Sequence, residues 1–254
     1  MSENIEVSLE PDILFTIGNV EISNAVFSSL TITLFLCLFF YFYSKRLTLV
    51  PGRTQVLIET SVEYYYRQLI DSYHDTNKAI RHLSIILSLF FFILIANQFT
   101  LIPLVQSIVY DGVHVFTSPT AHLSQTLALS LIVVVICQYL AFKVSPIGHI
   151  NEYIKINEFK KVRSKSDLFN AIIGQFIGLL NIIGEFAKVI SLSCRLFGNI
   201  FAGEIMIAVI ASLAVFTAFI IPIPFYIIGI FSGFIQALVF AFLSLSFITA
   251  SAGS

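Results

Sequence analysis

Residues 168–213 read LFNAIIGQFIGLLNIIGEFAKVISLSCRLFGNIFAGEIMIAVIASL, an apolar stretch with a single arginine, Arg195, near its centre. A charge at the depth of a bilayer costs about 2.5–3.5 kcal/mol on insertion scales. Such a residue usually faces a protein interior or a water-filled cavity and usually has a functional role. The meaning of Arg195 therefore depends on whether this stretch lies in a membrane.

The composition is that of an integral membrane protein. Hydrophobic residues make up 57% of the 254 residues and charged residues only 11%, whereas soluble domains carry about 25% charged residues. The mean hydropathy is +0.91, and the chain has room for five or six spans of about 20 residues each. We therefore predict an all-α membrane protein with one membrane domain. The net charge of −1 gives no indication of a nucleic-acid partner.

The cysteines and histidines indicate neither a metal site nor a cofactor. The three cysteines all fall inside apolar runs, and the five histidines never reach the spacing of metal ligands. No soluble catalytic motif is visible, so we expect no enzyme activity from the chain by itself. The segment before residue 25 is acidic and has no Lys or Arg, which favours a permanent anchor over a cleaved signal peptide.

Five long apolar segments are predicted within the membrane, at residues 24–43, 83–105, 121–142, 168–213 and 225–250. Outside them, every Lys and Arg follows the first segment, precedes the second, or lies between the third and fourth. The positive-inside rule places these regions in the cytoplasm. With five spans, the N-terminal tail (1–23) lies outside, and both the loop 143–167 and the C-terminus are cytoplasmic.

The fourth segment is too long for an upright span. As a straight helix it would measure about 69 Å, against a hydrocarbon core of about 30 Å. It forms either two spans with a tight turn near residues 181–188 or one very oblique helix. Two spans would place the C-terminus outside, and the residues themselves leave both alternatives open.

Residues 51–75 have a different pattern. Apolar and tyrosine side chains recur at helical spacing, while charged residues occupy the other positions. This predicts an amphipathic helix at the cytoplasmic interface, where tyrosines suit the depth of the headgroups. The alternative is a packing helix outside the membrane.

The polar residues of the fourth segment fall mainly on one face. At 100° per residue this stripe contains Asn181, Glu185, Lys188, Ser191, Arg195 and Asn199. Glu204 lies on the opposite side, nine positions after Arg195, which would suit two separate polar paths beside a central cation. The alternative for Arg195 is a structural salt bridge to Asp111 or to a neighbour's Glu204. Glu185 and Lys188 could equally form an i,i+3 pair or snorkel.

Other polar candidates lie elsewhere in the chain. Gln236 is the main polar residue of the last segment, and it would either contact Arg195 or join two helices by hydrogen bonds. Gly229 and Gly233 are predicted packing positions. On the outer side, Asp111 and His122 would line a water path or belong to a surface loop.

One long motif connects these residues to a family. SLSCRLFGNIFAGE, residues 191–204, resembles the signature of the a subunit of bacterial F-type ATP synthases around its essential arginine. Supporting matches cover most of the chain: Pro51, Gln55, Glu59, Asn97, 101–103, 119–121, 126–129 and 236–237. His122, Ser124, Thr100 and Gly229 depart from common family residues, so the make-up of the outer water path stays open.

The resemblance implies five spans, with the fourth a single oblique helix, plus the interfacial helix. It implies a stator of the Fo sector in the bacterial inner membrane, with two proton half-channels that couple ion flow to rotation of a ring of c subunits, and with the peripheral stalk of b subunits as a further partner. Arg195 would face the ring carboxylate, beside Asn199 and Gln236. The outer path would use Glu204, Asp111 and His122, and the cytoplasmic path Glu185, Asn181 and Lys188.

Two other classes of function remain as alternatives. A self-contained ion channel or transporter would move ions without further subunits, although the lack of an internal repeat weakens that interpretation. A purely structural membrane scaffold would tolerate replacement of Arg195. The sequence leaves the coupling ion, H⁺ or Na⁺, undecided.

Overall fold

The computed structural model describes residues 13–17, 20–99, 101, 108–110, 113–144, 146, 165–213 and 222–253. The helices are α1 (Asn24–Ser44), α2 (Arg53–Tyr73), α3 (Thr76–Phe99), α4 (Leu123–Val144), α5 (Lys165–Leu213) and α6 (Pro222–Gly253). In this part of the chain five helices, all except α2, are long and apolar enough to cross a membrane. The predicted class of fold, five membrane helices and one amphipathic helix, is confirmed.

The fourth apolar segment is one helix. α5 runs for 49 residues without a break, so the alternative of two spans with a turn near 181–188 is wrong. Its most apolar part, Ile173–Gly203, has 31 residues and is therefore about 46 Å long. Fitting that length into a core of about 30 Å requires an inclination of about 50° from the membrane normal.

α2 is amphipathic, as predicted, and packs on α3. Tyr65 and Leu69 are fully buried, whereas Glu63 and Arg67 form an exposed ion pair one turn apart. The helix ends at His74, whose backbone is left-handed (φ 51°) and whose N–H donates to the carbonyl of Ile70 at 2.8 Å.

α3 begins at Thr76, ahead of the predicted start of the second span at residue 83. The carboxylate of Asp75 accepts a hydrogen bond from the backbone N–H of Asn77 at 2.9 Å and so caps the first turn. Hydropathy marks where a helix enters lipid, not where its hydrogen bonding starts. The predicted end of that span, at 102–105, lies outside the described residues.

The core lies among α3, α4, α5 and α6, with α2 against one end. Its largest fully buried side chains include Tyr65, Phe90, Phe240, Leu192 and Leu196. α1 is peripheral and touches α3 through the edge-to-face pair of Phe40 and Phe91, whose ring centroids are 5.1 Å apart. Apolar side chains cover the outside of the bundle, as expected of helices solvated by lipid.

Two short hairpins precede helices and were not predicted. β1 (Ile13–Ile17) pairs antiparallel with β2 (Val20–Ser23), in the tail predicted to lie outside. β3 (Val109–Tyr110) pairs antiparallel with β4 (Val113–His114). A short 3₁₀ turn, Pro119–Ala121, then leads into α4.

Candidate functional site

Arg195 lies on the exposed side of α5. Its neighbours Leu192 and Leu196 are 1% and 0% exposed and belong to the core, whereas the arginine side chain points away from it. Within the described part of the chain its guanidinium has no hydrogen bond or ion pair. Asp111 and the side chain of Glu204, the two carboxylates predicted as possible salt-bridge partners of Arg195, lie outside the described residues.

Small residues surround Arg195 on that side. Ser191, Cys194 and Ala202 are exposed. A Cβ added to Gly198 would meet no atom within 4 Å. Small residues allow the backbone of another helix to approach closely. The face therefore combines a cation with room for a helix that is not part of this chain.

Glu185 and Lys188 form an i,i+3 ion pair at 2.6 Å on the same helix. The Lys188 ammonium also lies 5.0 Å from the ring centroid of Phe247 on α6. The second carboxylate oxygen of Glu185 is buried and has no partner among the described residues. Asn181, one turn earlier, is exposed. The pair predicted as one alternative is thus present, and one acceptor oxygen remains available.

Asn199 connects α5 with α6. Its Oδ1 accepts a hydrogen bond from the hydroxyl of Ser232 at 2.8 Å, and no hydrogen bond between Asn199 and Arg195 is found within the described residues. Ser232 was missed at the level of sequence, because a serine in an apolar helix most often bonds its own backbone. No sequence signal distinguishes this serine from the others.

Gln236 is buried on α6, with 7% of its surface exposed. Its Nε2 atom has no hydrogen-bond partner within the described part of the chain. A buried amide donor without a partner is costly. It therefore points to an acceptor that the described residues do not supply.

Of the three residues predicted for the outer path, the structure describes the side chain of His122 and the backbone of Glu204. His122 is 8% exposed and lies between the 3₁₀ turn and α4, so it is buried and not part of an open surface loop. Glu204 lies on α5, but its side chain is outside the described part, as is the whole of Asp111.

Polar residues form a network at the end of α3, and two of them, Asn97 and Thr120, belong to the motifs that resemble the family. The Asn97 amide donates to the carbonyl of Gly233 at 3.2 Å and accepts from Thr120 at 2.9 Å. Gln98 donates to the carbonyl of Ile230 at 3.0 Å. These contacts tie α3 and the 3₁₀ turn to α6.

A second link lies at the opposite end of α6. The Tyr73 hydroxyl is 2.7 Å from Nδ1 of His82 and 3.4 Å from the carbonyl of Ile248. Burial raises the pKa of Tyr73 to about 12, which keeps its hydroxyl protonated at neutral pH. Among the described residues, no group of three or more His, Cys, Asp or Glu could hold a metal ion.

Comparison with known proteins gives one consistent result. The family described as ATP synthase A chain matches residues 25–249. "ATP synthase subunit a" of Aliivibrio salmonicida is 30% identical over 238 residues, which cover 91% of this chain and 84% of the relative. The protein of the same name from Desulforamulus reducens is 30% identical, over 97% of this chain and 86% of the relative. The one from Streptococcus gordonii is also 30% identical, over 85% of this chain and 85% of the relative. The resemblance carried by the arginine motif is thereby confirmed, and the chain belongs to the ATP synthase A chain family.

Proposed function

We propose that this protein is the stator subunit of the membrane sector of an F-type ATP synthase in the bacterial inner membrane. It provides two proton half-channels and couples ion flow to rotation of a c-subunit ring. Family membership and the five membrane helices support this assignment. The observation that carries it is the exposed Arg195, which has no partner within the described chain and is flanked by small residues on an apolar helix.

Arg195 acts on a carboxylate that the ring brings to it. An ion pair at about 4 Å is worth about 4 kcal/mol at an effective dielectric of 20. That energy corresponds to roughly three pKa units, enough to make a protonated carboxyl release its proton. Arginine keeps its charge at any cellular pH, so it also repels a proton that would pass directly between the half-channels.

The cytoplasmic half-channel receives the released proton. Asn181 and Glu185 precede Arg195 on α5, and the unpartnered oxygen of Glu185 is an acceptor for water or a proton. Lys188 holds the other oxygen of that carboxylate. The outer half-channel loads the ring carboxylate, with Glu204, Asp111 and the buried His122 as its polar groups.

Gln236 and Asn199 complete the surroundings of Arg195. A guanidinium has only donors, so the unpartnered Nε2 of Gln236 suits an acceptor, such as a ring carboxylate or a water, better than it suits Arg195. Asn199 is held by Ser232 through Oδ1, which leaves its amide hydrogens available to the same acceptor.

Topology and partners follow from the same proposal. The N-terminus lies outside and the C-terminus in the cytoplasm, because the Lys and Arg residues outside the membrane then all lie in the cytoplasm. Besides the c-ring, the b-subunit peripheral stalk holds the chain against rotation. The chain carries no catalytic site of its own, and ATP chemistry belongs to other subunits.

The test replaces Arg195 with Ala in the assembled complex and measures ATP-driven acidification of membrane vesicles and passive proton leak. We expect pumping to be lost with assembly intact and leak increased. Arg67→Ala is the matched control, because among the described residues Arg67 pairs with the exposed Glu63 on α2 and with no other carboxylate. Normal pumping by Arg195→Ala would leave only a structural role for the arginine. Ion flux through the purified chain alone in liposomes would favour the self-contained transporter.

A further inference from the structure

The turn of α6 from Ile230 to Gly233 is held from two sides by amide side chains. Asn97 and Gln98 of α3 donate to the carbonyls of Gly233 and Ile230. On the other side, Ser232 donates to Asn199 of α5. Polar side chains that form hydrogen bonds between membrane helices hold those helices together.

Asn97 is the centre of this arrangement, and both ends of its amide are used. Asn97 is 1% exposed and Thr120 is 0% exposed. Asn97 Nδ2 donates to α6 while Oδ1 accepts from Thr120, whose hydroxyl is 2.8 Å from that of Ser118. A buried polar network whose members are satisfied rigidifies the elements that it joins. The network joins the turn before α4 to α6 through α3.

A glycine lies at the closest point of this contact. A Cβ at position 233 would lie 3.1 Å from Cβ of Asn97 and 3.1 Å from Nε2 of Gln98. A larger residue would push Asn97 and Gln98 away by a few tenths of an ångström, so the glycine favours the close approach of α3 to α6 at which the two amides reach the carbonyls. Three observations, the hydrogen bonds, the burial and the glycine, therefore describe one tight contact.

We propose that Asn97, Gln98 and Thr120, here called the amide clamp, are positioning residues for ion translocation, acting through α6. Gln236 lies one turn beyond Gly233, and Ser232 beside it holds Asn199. The amide clamp fixes the rotation and depth of α6. It thereby fixes where the amides of Gln236 and Asn199 meet the acceptor that is brought to Arg195. A slip of α6 by one residue would turn Gln236 by about 100°. This inference rests on the proposed stator function.

The competing explanation is that the amide clamp only holds the fold together. In that case its loss lowers the amount of assembled complex, but each complex that assembles pumps and leaks as the wild type does. A positioning role instead changes both quantities per assembled complex. The ratio of pumping to leak is therefore the decisive readout.

The experiment compares Asn97→Leu, Thr120→Val, Thr120→Ser and Arg195→Ala in the assembled complex, with pumping and passive leak normalised to the amount of complex. Leu and Val keep the size of the side chains while removing their hydrogen-bonding groups. We expect pumping per complex to fall at least about fivefold in Asn97→Leu and Thr120→Val, because a buried group loses its partner, and leak to rise. Thr120→Ser keeps the hydroxyl and should stay within about twofold of the wild type.

The outcomes separate the two proposals. Wild-type pumping and leak per complex in Asn97→Leu, with Arg195→Ala inactive, overturns the amide clamp alone. Normal pumping by Arg195→Ala overturns the stator mechanism and the amide clamp with it. If Asn97→Leu does not assemble, Thr120→Val against Thr120→Ser decides. Failure of both Asn97→Leu and Thr120→Val to assemble assigns these residues to folding and also overturns the proposal.

Discussion

The turn of α6 from Ile230 to Gly233 and the Arg195 face of α5 differ in how their polar groups are paired. At the turn, the amides of Asn97 and Gln98 meet carbonyls of the same chain. On the Arg195 face, a full charge has no partner within the described residues. Polar groups are expensive in a membrane in both places. The difference supports the two proposals, that the first set of groups positions helices and that Arg195 acts on a carboxylate of another subunit.

The largest expected effect comes from replacing the unpartnered charge with a neutral polar side chain. Arg195→Gln should lower pumping about 1000-fold, because about 4 kcal/mol of charge interaction with the ring carboxylate is lost. Arg195→Lys keeps the charge but not the planar fork, and should retain more activity than Gln. Rates of ATP-driven acidification measure both. Equal activity of the two variants would mean that charge is not what Arg195 contributes.

The room beside Arg195 can be filled without disturbing this chain. Nothing lies within 4 Å of a Cβ at Gly198, so Gly198→Ala should leave the free energy of unfolding unchanged or raise it by up to about 1 kcal/mol. Gly198→Leu should lower pumping at least about tenfold, because a helix that packs there is pushed away. Thermal unfolding in detergent and pumping are measured on the same preparations. Full pumping by Gly198→Leu would argue against a close partner at this face.

Substitutions of two glycines on α6 test the region in which the polar groups are paired, the contact of α3 with α6. A Cβ at Gly233 would press on Cβ of Asn97, whereas a Cβ at Gly229 would lie 3.1 Å from Cδ2 of Leu101, the end of a flexible side chain. We expect Gly233→Ala to destabilise the protein by about 1–3 kcal/mol and Gly229→Ala by less than about 1 kcal/mol. The difference is read from unfolding midpoints in detergent. The reverse order would show that the amides of α3 adjust easily.

The smallest effect concerns the opposite end of α6. Tyr73→Phe removes the hydroxyl that contacts His82 and the Ile248 carbonyl, and should cost about 1 kcal/mol near pH 7. Because burial raises the pKa of Tyr73 from 10.0 to about 12, its stabilising contribution is complete below pH 10 and is lost as pH rises from 10 to 12. Tyr73→Phe should therefore flatten the decline of the unfolding midpoint over that range. Tyr64→Phe, at an exposed position of the same helix, should match the wild type, and an unchanged decline in Tyr73→Phe would exclude the effect.

Sequence reasoning succeeded where periodicity and charge carry the information. The amphipathic α2 and the five apolar helices follow from spacing and hydropathy. The residues of α5 could not by themselves distinguish one helix from two, because both alternatives bury the same apolar side chains, and the family resemblance decided the matter.

The amide clamp was not predictable in the same way. Asn97 and Gly233 are 136 positions apart, and a carbonyl acceptor is present at every residue, so no pattern identifies the partner. The same holds for Ser232 and Asn199. The second hairpin was missed because β3 and β4 have only two residues each, too few to show an alternation.

The inclination of α5 has a consequence for the timing of the proposed cycle. At about 50° from the membrane normal, successive residues of the helix differ by about 1 Å in depth and by a little more than 1 Å in the plane of the membrane. Glu185 and Arg195, ten positions apart, are thus separated by about 10 Å in depth and by about as much in the plane of the membrane. A carboxylate that circles in that plane at the depth of Arg195 passes Arg195 and the lateral position of Glu185 at different moments, and the released proton crosses the remaining distance in depth to Glu185. Because α5 is tilted, the order of these residues along the helix sets the order in which a ring carboxylate passes their lateral positions.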